Sequence, residues 1–171
     1  MGNPLLEKTP LPLFSQIKPD HIVPAIEEIL AGNKQQIDAL TTSLSEPTWE
    51  NFIDQLDEIN DQLAKSWSPV SHMNAVVNSD TLRAAYNLCL PKLSEYSTEM
   101  GHNKTLYRLY ELLKNSDRFA TLDTAQKTVI DHALRDFKLS GIALDEEDKA
   151  TFGDLQKRLA ELRQTPRHQG R

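Results

Sequence analysis

Leu122-Asp123-Thr124-Ala125-Gln126-Lys127-Thr128-Val129-Ile130-Asp131-His132-Ala133-Leu134-Arg135-Asp136-Phe137-Lys138-Leu139-Ser140-Gly141-Ile142 reads as one helix with both ends marked. Asp123 has the character of an N-cap, and Gln126 stands three residues on, the spacing of a capping box. Ile130, Ala133, Leu134 and Phe137 recur at helical spacing and share one face. Lys127, Asp131 and Arg135 follow at steps of four on another face, alternating in sign as solvated ion pairs do. Gly141 suits the left-handed position after the last turn. Ile142 stands where a hydrophobic contact back to Phe137 is expected.

Working toward the N-terminus, the same reading gives more helices and no strands. Leu106, Leu109, Tyr110 and Leu113 form a short apolar stripe after Asn103. Before it, Ser79 caps a helix whose seam is Leu82, Tyr86, Cys89, Leu93, Tyr96 and Met100, closed by Gly101, with Pro91 expected to kink it. Thr48 caps an earlier one, with Glu50 in its first turn and Phe52, Leu56, Ile59, Leu63 and Trp67 as its stripe. Ser68-Pro69 is expected to break or kink that helix. The first helix is expected to begin near Pro24, which a first turn accepts. Ile26, Leu30, Ile37, Leu40 and Leu44 are its buried face, Gly32-Asn33 weakens its middle, and Glu46-Pro47 ends it.

Residues 3 to 19 hold Pro4, Pro10, Pro12 and Pro19 among Leu5, Leu6, Leu11, Leu13, Phe14 and Ile17. Prolines this dense forbid a regular helix. The apolar content predicts an extended arm packed on the rest. A last helix is expected from Asp145, with Phe152, Leu155, Leu159 and Leu162 as its stripe. Residues 163–171 carry no apolar periodicity, and Pro166 stops any helix. No alternation of period two runs for the length of a strand. The fold class is therefore all-α: an irregular bundle of about six helices with a proline-rich N-terminal arm.

Composition narrows the function classes. The 171 residues fit one domain, 39% hydrophobic and 26% charged, with a formal net charge of −6. An acidic chain lacks the basic face that nucleic acid requires. The single cysteine, Cys89, permits no intrachain disulfide. No basic region followed by a long apolar run opens the chain, and no stretch approaches the roughly 20 apolar residues of a membrane span. The expectation is a cytoplasmic protein that binds neither nucleic acid nor membrane.

Several residue groups invite chemistry. His132 and Asp136 have the helical spacing of a metal-ligand pair, but no second pair stands near them, so a surface pair is expected. His72 follows Ser71 with no orienting third group or oxyanion hole indicated, so packing or capping is expected. Cys89 on an apolar seam reads as an inert buried thiol. Asp145-Glu146-Glu147-Asp148 is explained by the helix dipole. Trp49, Phe52, Trp67, Tyr86 and Tyr96 read as core before they read as the lining of a peptide channel. No catalytic, cofactor-binding or metal-binding residue is assigned in this chain.

Asp131 to Gly141, together with Asn3-Pro4-Leu5-Leu6, the run Ile17 to Ile26 and the run Trp67 to Asn74, resembles the N-terminal part of oligopeptidase A-like members of the thimet oligopeptidase and neurolysin family of zinc metallopeptidases. The resemblance covers nearly the whole chain to Leu162, but only the first part of the family's polypeptide. It implies an arm over residues 1–18, a helical N-terminal lobe over 19–162 and a polar, basic tail outside the family pattern over 163–171. It also implies that the lobe faces a zinc lobe across a deep channel that admits only short peptides. In the family, zinc polarises the scissile carbonyl and activates water, with the glutamate of a His-Glu-x-x-His helix as general base. That motif is absent from this sequence.

The resemblance thus implies zinc in the full-length protein and none here. It also implies two partners, short peptides and a missing catalytic lobe. The expectation is a truncated, inactive fragment with exposed apolar surface on Leu11, Leu13, Phe14 and the stripe from Phe152. The alternative is a stand-alone helical module that binds peptides or a protein.

Overall fold

A computed structural model describes residues 2–77 and 79–142, together with Thr151 and Leu155. The helix expected from Asp145, its acidic run 145–148, Phe152, Leu159, Leu162 and the tail 163–171 lie outside the described residues. Among the described residues there are six α-helices and no strand: α1 (Pro19–Ser43), α2 (Asp54–Val76), α3 (Asp80–Gly101), α4 (Lys104–Lys114), α5 (Asp117–Thr121) and α6 (Thr124–Leu139). The all-α irregular bundle expected from the sequence is what forms.

The helix ends follow local chemistry. Asp123 Oδ1 accepts from the Gln126 N–H at 2.8 Å, and the Gln126 side chain accepts from the Asp123 N–H at 3.0 Å. This reciprocal pair satisfies donors that a helix N-terminus leaves open. At the other end Gly141 takes φ 87°. Its N–H donates to Lys138 O, and the Ile142 N–H donates to Phe137 O. That is the paired closure of a Schellman turn, and Ile142 is buried behind it. Ser79 and Asn103 cap α3 and α4 in the same sense. Thr48 caps a wide π-type turn, Trp49–Ile53, that leads into α2. There, hydrogen bonds from its own backbone and from Thr48 hold the Glu50 carboxyl below its ordinary range.

Pro24 and Pro69 lie where the sequence reading differs from the structure, while Pro91 lies inside its helix as expected. α1 begins at Pro19 and carries Pro24 inside it, α2 continues through Pro69 to Val76, and Pro91 lies within α3. A proline within a helix removes the hydrogen bond to the carbonyl four residues back. The carbonyls released here belong to Asp20, Lys65 and Asn87, all exposed residues. Pro69 is itself buried beside Val70, so tertiary packing holds α2 together.

Two apolar cores lie along α1. Its first half, Ile22, Ala25, Ile26 and Leu30, packs with Leu5 and Ile17 of the arm, Val70 of α2, and Leu82, Ala85, Cys89 and Tyr96 of α3. Ile37, further along, joins Phe52, Leu56 and Ile59 to Leu106, Leu109, Leu113 and Ile130. Met100 packs on both cores. Two surface ion pairs, Glu27 with Lys92 and Lys34 with Glu99, join α1 to α3. Their positions rise together along both helices, so α1 and α3 run in the same direction.

The face Lys127, Asp131, Arg135 does not form the expected ladder within α6. Asp131 pairs with Lys114 of α4 at 2.7 Å, Lys127 donates to Ala120 O, and Arg135 turns to Asp136. α4 packs alongside α6, and its lysine reaches Asp131 first. The short α5 carries Phe119 into the second core under the Lys114 ammonium, 3.9 Å from the ring centroid. Five residues with one large apolar side chain give no periodicity to read.

Candidate functional site

Among the described residues, those singled out for chemistry do not converge. His72 is exposed on α2 with its ring 5.8 Å from that of Phe14, a contact with the arm. Cys89 has no exposed surface, and burial pushes its thiol above the ordinary range. Nucleophilic cysteines need the opposite shift. His132 and Asp136 are both exposed, and Asp136 Oδ1 accepts from Arg135 Nη2 at 3.0 Å and Nε at 3.1 Å. A zinc site needs three or four ligands. Among the described residues no three His, Cys, Asp or Glu side chains come together that could hold a metal.

The aromatic residues are core. Phe52 and Tyr96 are buried, and Trp67 stacks on Tyr86 with centroids 4.8 Å apart at 15°. Trp49 packs against the second core. Of the arm residues expected to be exposed, Leu11 and Phe14 are exposed and Leu13 is half-buried; Leu155 is exposed as well. None of the described helices is long and apolar enough to cross a membrane.

Two features escaped the sequence reading. The first is a knot between the end of α3 and the end of α6. His102 Nε2 lies 2.7 Å from Ser140 O, and the Ser140 hydroxyl donates to Gly101 O at 2.6 Å. A Cβ on Gly101 would lie 3.2 Å from that of Ser140. The close approach is the only signal the sequence could have offered, through the glycine.

The second is a cleft of about 980 Å3 between the arm, α1 and α2. The arm is fastened at both ends. Asn3 Nδ2 donates to His21 O at 2.7 Å, and the Ser66 hydroxyl donates to Leu5 O at 2.6 Å. At the far end Ile17 is buried in the first core. Between these fastenings the arm arches over the cleft. The cleft has a mixed lining: Leu6 and Leu13 from the arm, Leu40 from α1 and Ile59 from α2 alternate with polar residues that include Lys8 and Lys65. Gln55, Glu58 and Asp61 form its α2 rim and also line a shallow acidic trough with Asp54 and Asp57.

The family model for the neurolysin/thimet oligopeptidase N-terminal domain matches residues 26–149. Oligopeptidase A of Haemophilus influenzae is 52% identical over 164 residues, covering 95% of this chain and 24% of that protein. Oligopeptidase A of Escherichia coli is 46% identical over 162 residues, with the same coverage of each. The organellar oligopeptidase A of Arabidopsis thaliana is 28% identical over 161 residues, covering 94% of this chain and 20% of that protein. The chain spans about a quarter of the length of the bacterial relatives it matches.

Proposed function

The chain belongs to the neurolysin/thimet oligopeptidase N-terminal domain family, and from that membership we propose that it is the helical N-terminal lobe of an oligopeptidase A-like zinc metalloendopeptidase acting on short peptides in the cytoplasm. One observation carries the reading: the similarity spans 95% of this chain and 24% of the Haemophilus influenzae relative. A lobe of this kind contributes a wall to the peptide channel. The remainder of the enzyme supplies zinc, its ligands and the general base. The chain by itself is inactive, because no metal-ligand set forms among its described residues and no His-Glu-x-x-His run occurs in its sequence.

The test is hydrolysis of a fluorogenic short peptide by the purified chain, with and without added zinc or cobalt. No turnover above the metal blank is expected. Turnover that disappears in His72→Ala would overturn both the inactive-lobe reading and the packing role of His72. A second reading, a stand-alone binding module, draws support from the cleft between the arm, α1 and α2, which described residues of this chain line.

A further inference from the structure

We propose that polar side chains, rather than the apolar seam, set the alignment of α1 against α3 and lock it against slid packings. This lock belongs to the fold itself and holds whether or not the chain serves a peptidase. The apolar seam is ambiguous. On α3, Leu82, Cys89 and Tyr96 are buried seven residues apart, and Tyr86, Leu93 and Met100 repeat at the same interval beside them. On α1, Ile22, Ile26, Ile29 and Ile37 are buried at helical steps. Sliding one helix along the other by seven residues, about 10 Å, leaves apolar side chains facing apolar ones. α2 ends at Val76 and α3 starts at Asp80, so α2 would travel with α3. Its own stripe, Leu56, Leu63 and Val70, also repeats every seven residues and does not forbid the move.

The charges do forbid it. Glu27 pairs with Lys92 at 2.8 Å, and Lys34 pairs with Glu99. Seven residues separate Glu27 from Lys34 and Lys92 from Glu99, and the order of signs is opposite on the two helices. A slide of seven residues in one direction sets Glu27 opposite Glu99. In the other direction it sets Lys34 opposite Lys92. Either slide breaks both pairs and makes a contact of like charges. Exposed pairs of this kind add little to stability. What they supply is discrimination, by penalising the wrong alignments.

The same alignment is marked inside the joint. Asn33 is 1% exposed and Tyr96 is 6% exposed. The Asn33 amide approaches the Tyr96 hydroxyl, yet among the described residues neither group has a well-formed partner. Buried polar groups in that condition cost stability, so stability does not explain their place in the seam. A slide that sets Asn33 beside Cys89 takes the phenol away from it. A single buried asparagine fixes register between paired helices at such a cost.

The test keeps composition and net charge constant. In the full chain, Lys92→Glu with Glu99→Lys reverses the charges of α3. Glu27→Lys with Lys34→Glu reverses those of α1, and a third protein carries all four changes. Urea melts and amide NMR spectra are recorded for each. Reversal on one helix should lower the urea midpoint and give two sets of signals from α1 and α3, one for each alignment. Reversal on both should restore most of the midpoint and a single set, even where a one-helix variant fails to fold. Asn33→Leu with Tyr96→Phe removes both unpaired groups and should raise the midpoint while broadening the signals of α1 and α3. One-helix reversal with the parent midpoint and a single set of signals would overturn the proposal. A lowered midpoint with a single set would also overturn it, because the pairs would then only add stability. So would a protein with all four changes that is no better than the one-helix variants. Sharp single signals in the Asn33, Tyr96 variant would overturn the part given to that polar pair.

Discussion

The Ser66 hydroxyl donates to the carbonyl of Leu5 at 2.6 Å across sixty-one positions of sequence, and Ser66 is 3% exposed. This bond fastens the start of the arm to the middle of α2 beside the first core. Removing the donor leaves a buried carbonyl with no partner, which costs about 1–3 kcal/mol. Ser66→Ala should lower the urea midpoint accordingly. It should also speed amide exchange or proteolysis within the arm before the helices are affected. A variant as stable as the parent, with an equally protected arm, would show that the fastening is unimportant.

Two glycines should respond with opposite sign. Gly141 holds φ 87°, so Gly141→Ala strains the Schellman turn at a cost of about 1–2 kcal/mol. Gly32 lies inside α1, and a Cβ there would meet only Gln36 Nε2, at 3.9 Å. Gly32→Ala should therefore stabilise by about 0.5–1 kcal/mol. Thermal melts of the two variants check the pair of signs.

Cys89 should resist thiol reagents in the folded protein. It has no exposed surface, and burial raises its pKa, so little thiolate forms at neutral pH. Its reaction with an aromatic disulfide reagent should follow the unfolding curve in urea. Fast reaction without denaturant would contradict the packing of α3 on α1.

Burial, with Asp57 nearby, pushes the Tyr110 phenol up from 10.0 to about 12. The folded state therefore holds this proton more tightly than the unfolded chain does. Its contribution is intact below pH 10 and is lost as pH rises toward 12, by on the order of 2 kcal/mol. Tyr110→Phe keeps the ring against Phe52 and Phe137 and should remove that part of the alkaline fall. Urea melts from pH 9 to 12 on both proteins measure the difference.

The helices were legible because each buries a stripe of period near 3.6 and several carry their own caps. Asp123 with Gln126, Ser79, Thr48 and Gly141 stand where local chemistry requires them. Pro24 and Pro69 misled where the carbonyl they release sits at an exposed residue, Asp20 and Lys65. That exposure is tertiary information. Ser66 was invisible for a related reason, since its partner is fixed only when the arm folds back. Buried Asn33 is another such case. It approaches the Tyr96 hydroxyl and tempers the rise that burial gives that phenol, yet among the described residues neither polar group completes a well-formed hydrogen bond. No sequence pattern marks a polar residue for burial at the centre of α1. The cleft arises from the arm's two fastenings together and has no local motif.

If the proposed reading holds, this chain can serve as the N-terminal lobe of an oligopeptidase A-like enzyme. The direct measurement replaces the matching N-terminal quarter of Haemophilus influenzae oligopeptidase A with residues 1–162 of this chain and follows hydrolysis of a fluorogenic short peptide. The chimaera is expected to turn over the peptide in a zinc-dependent manner, while the same enzyme lacking its N-terminal quarter does not. A chimaera that folds and binds zinc, yet hydrolyses no better than the enzyme without that quarter, would contradict it.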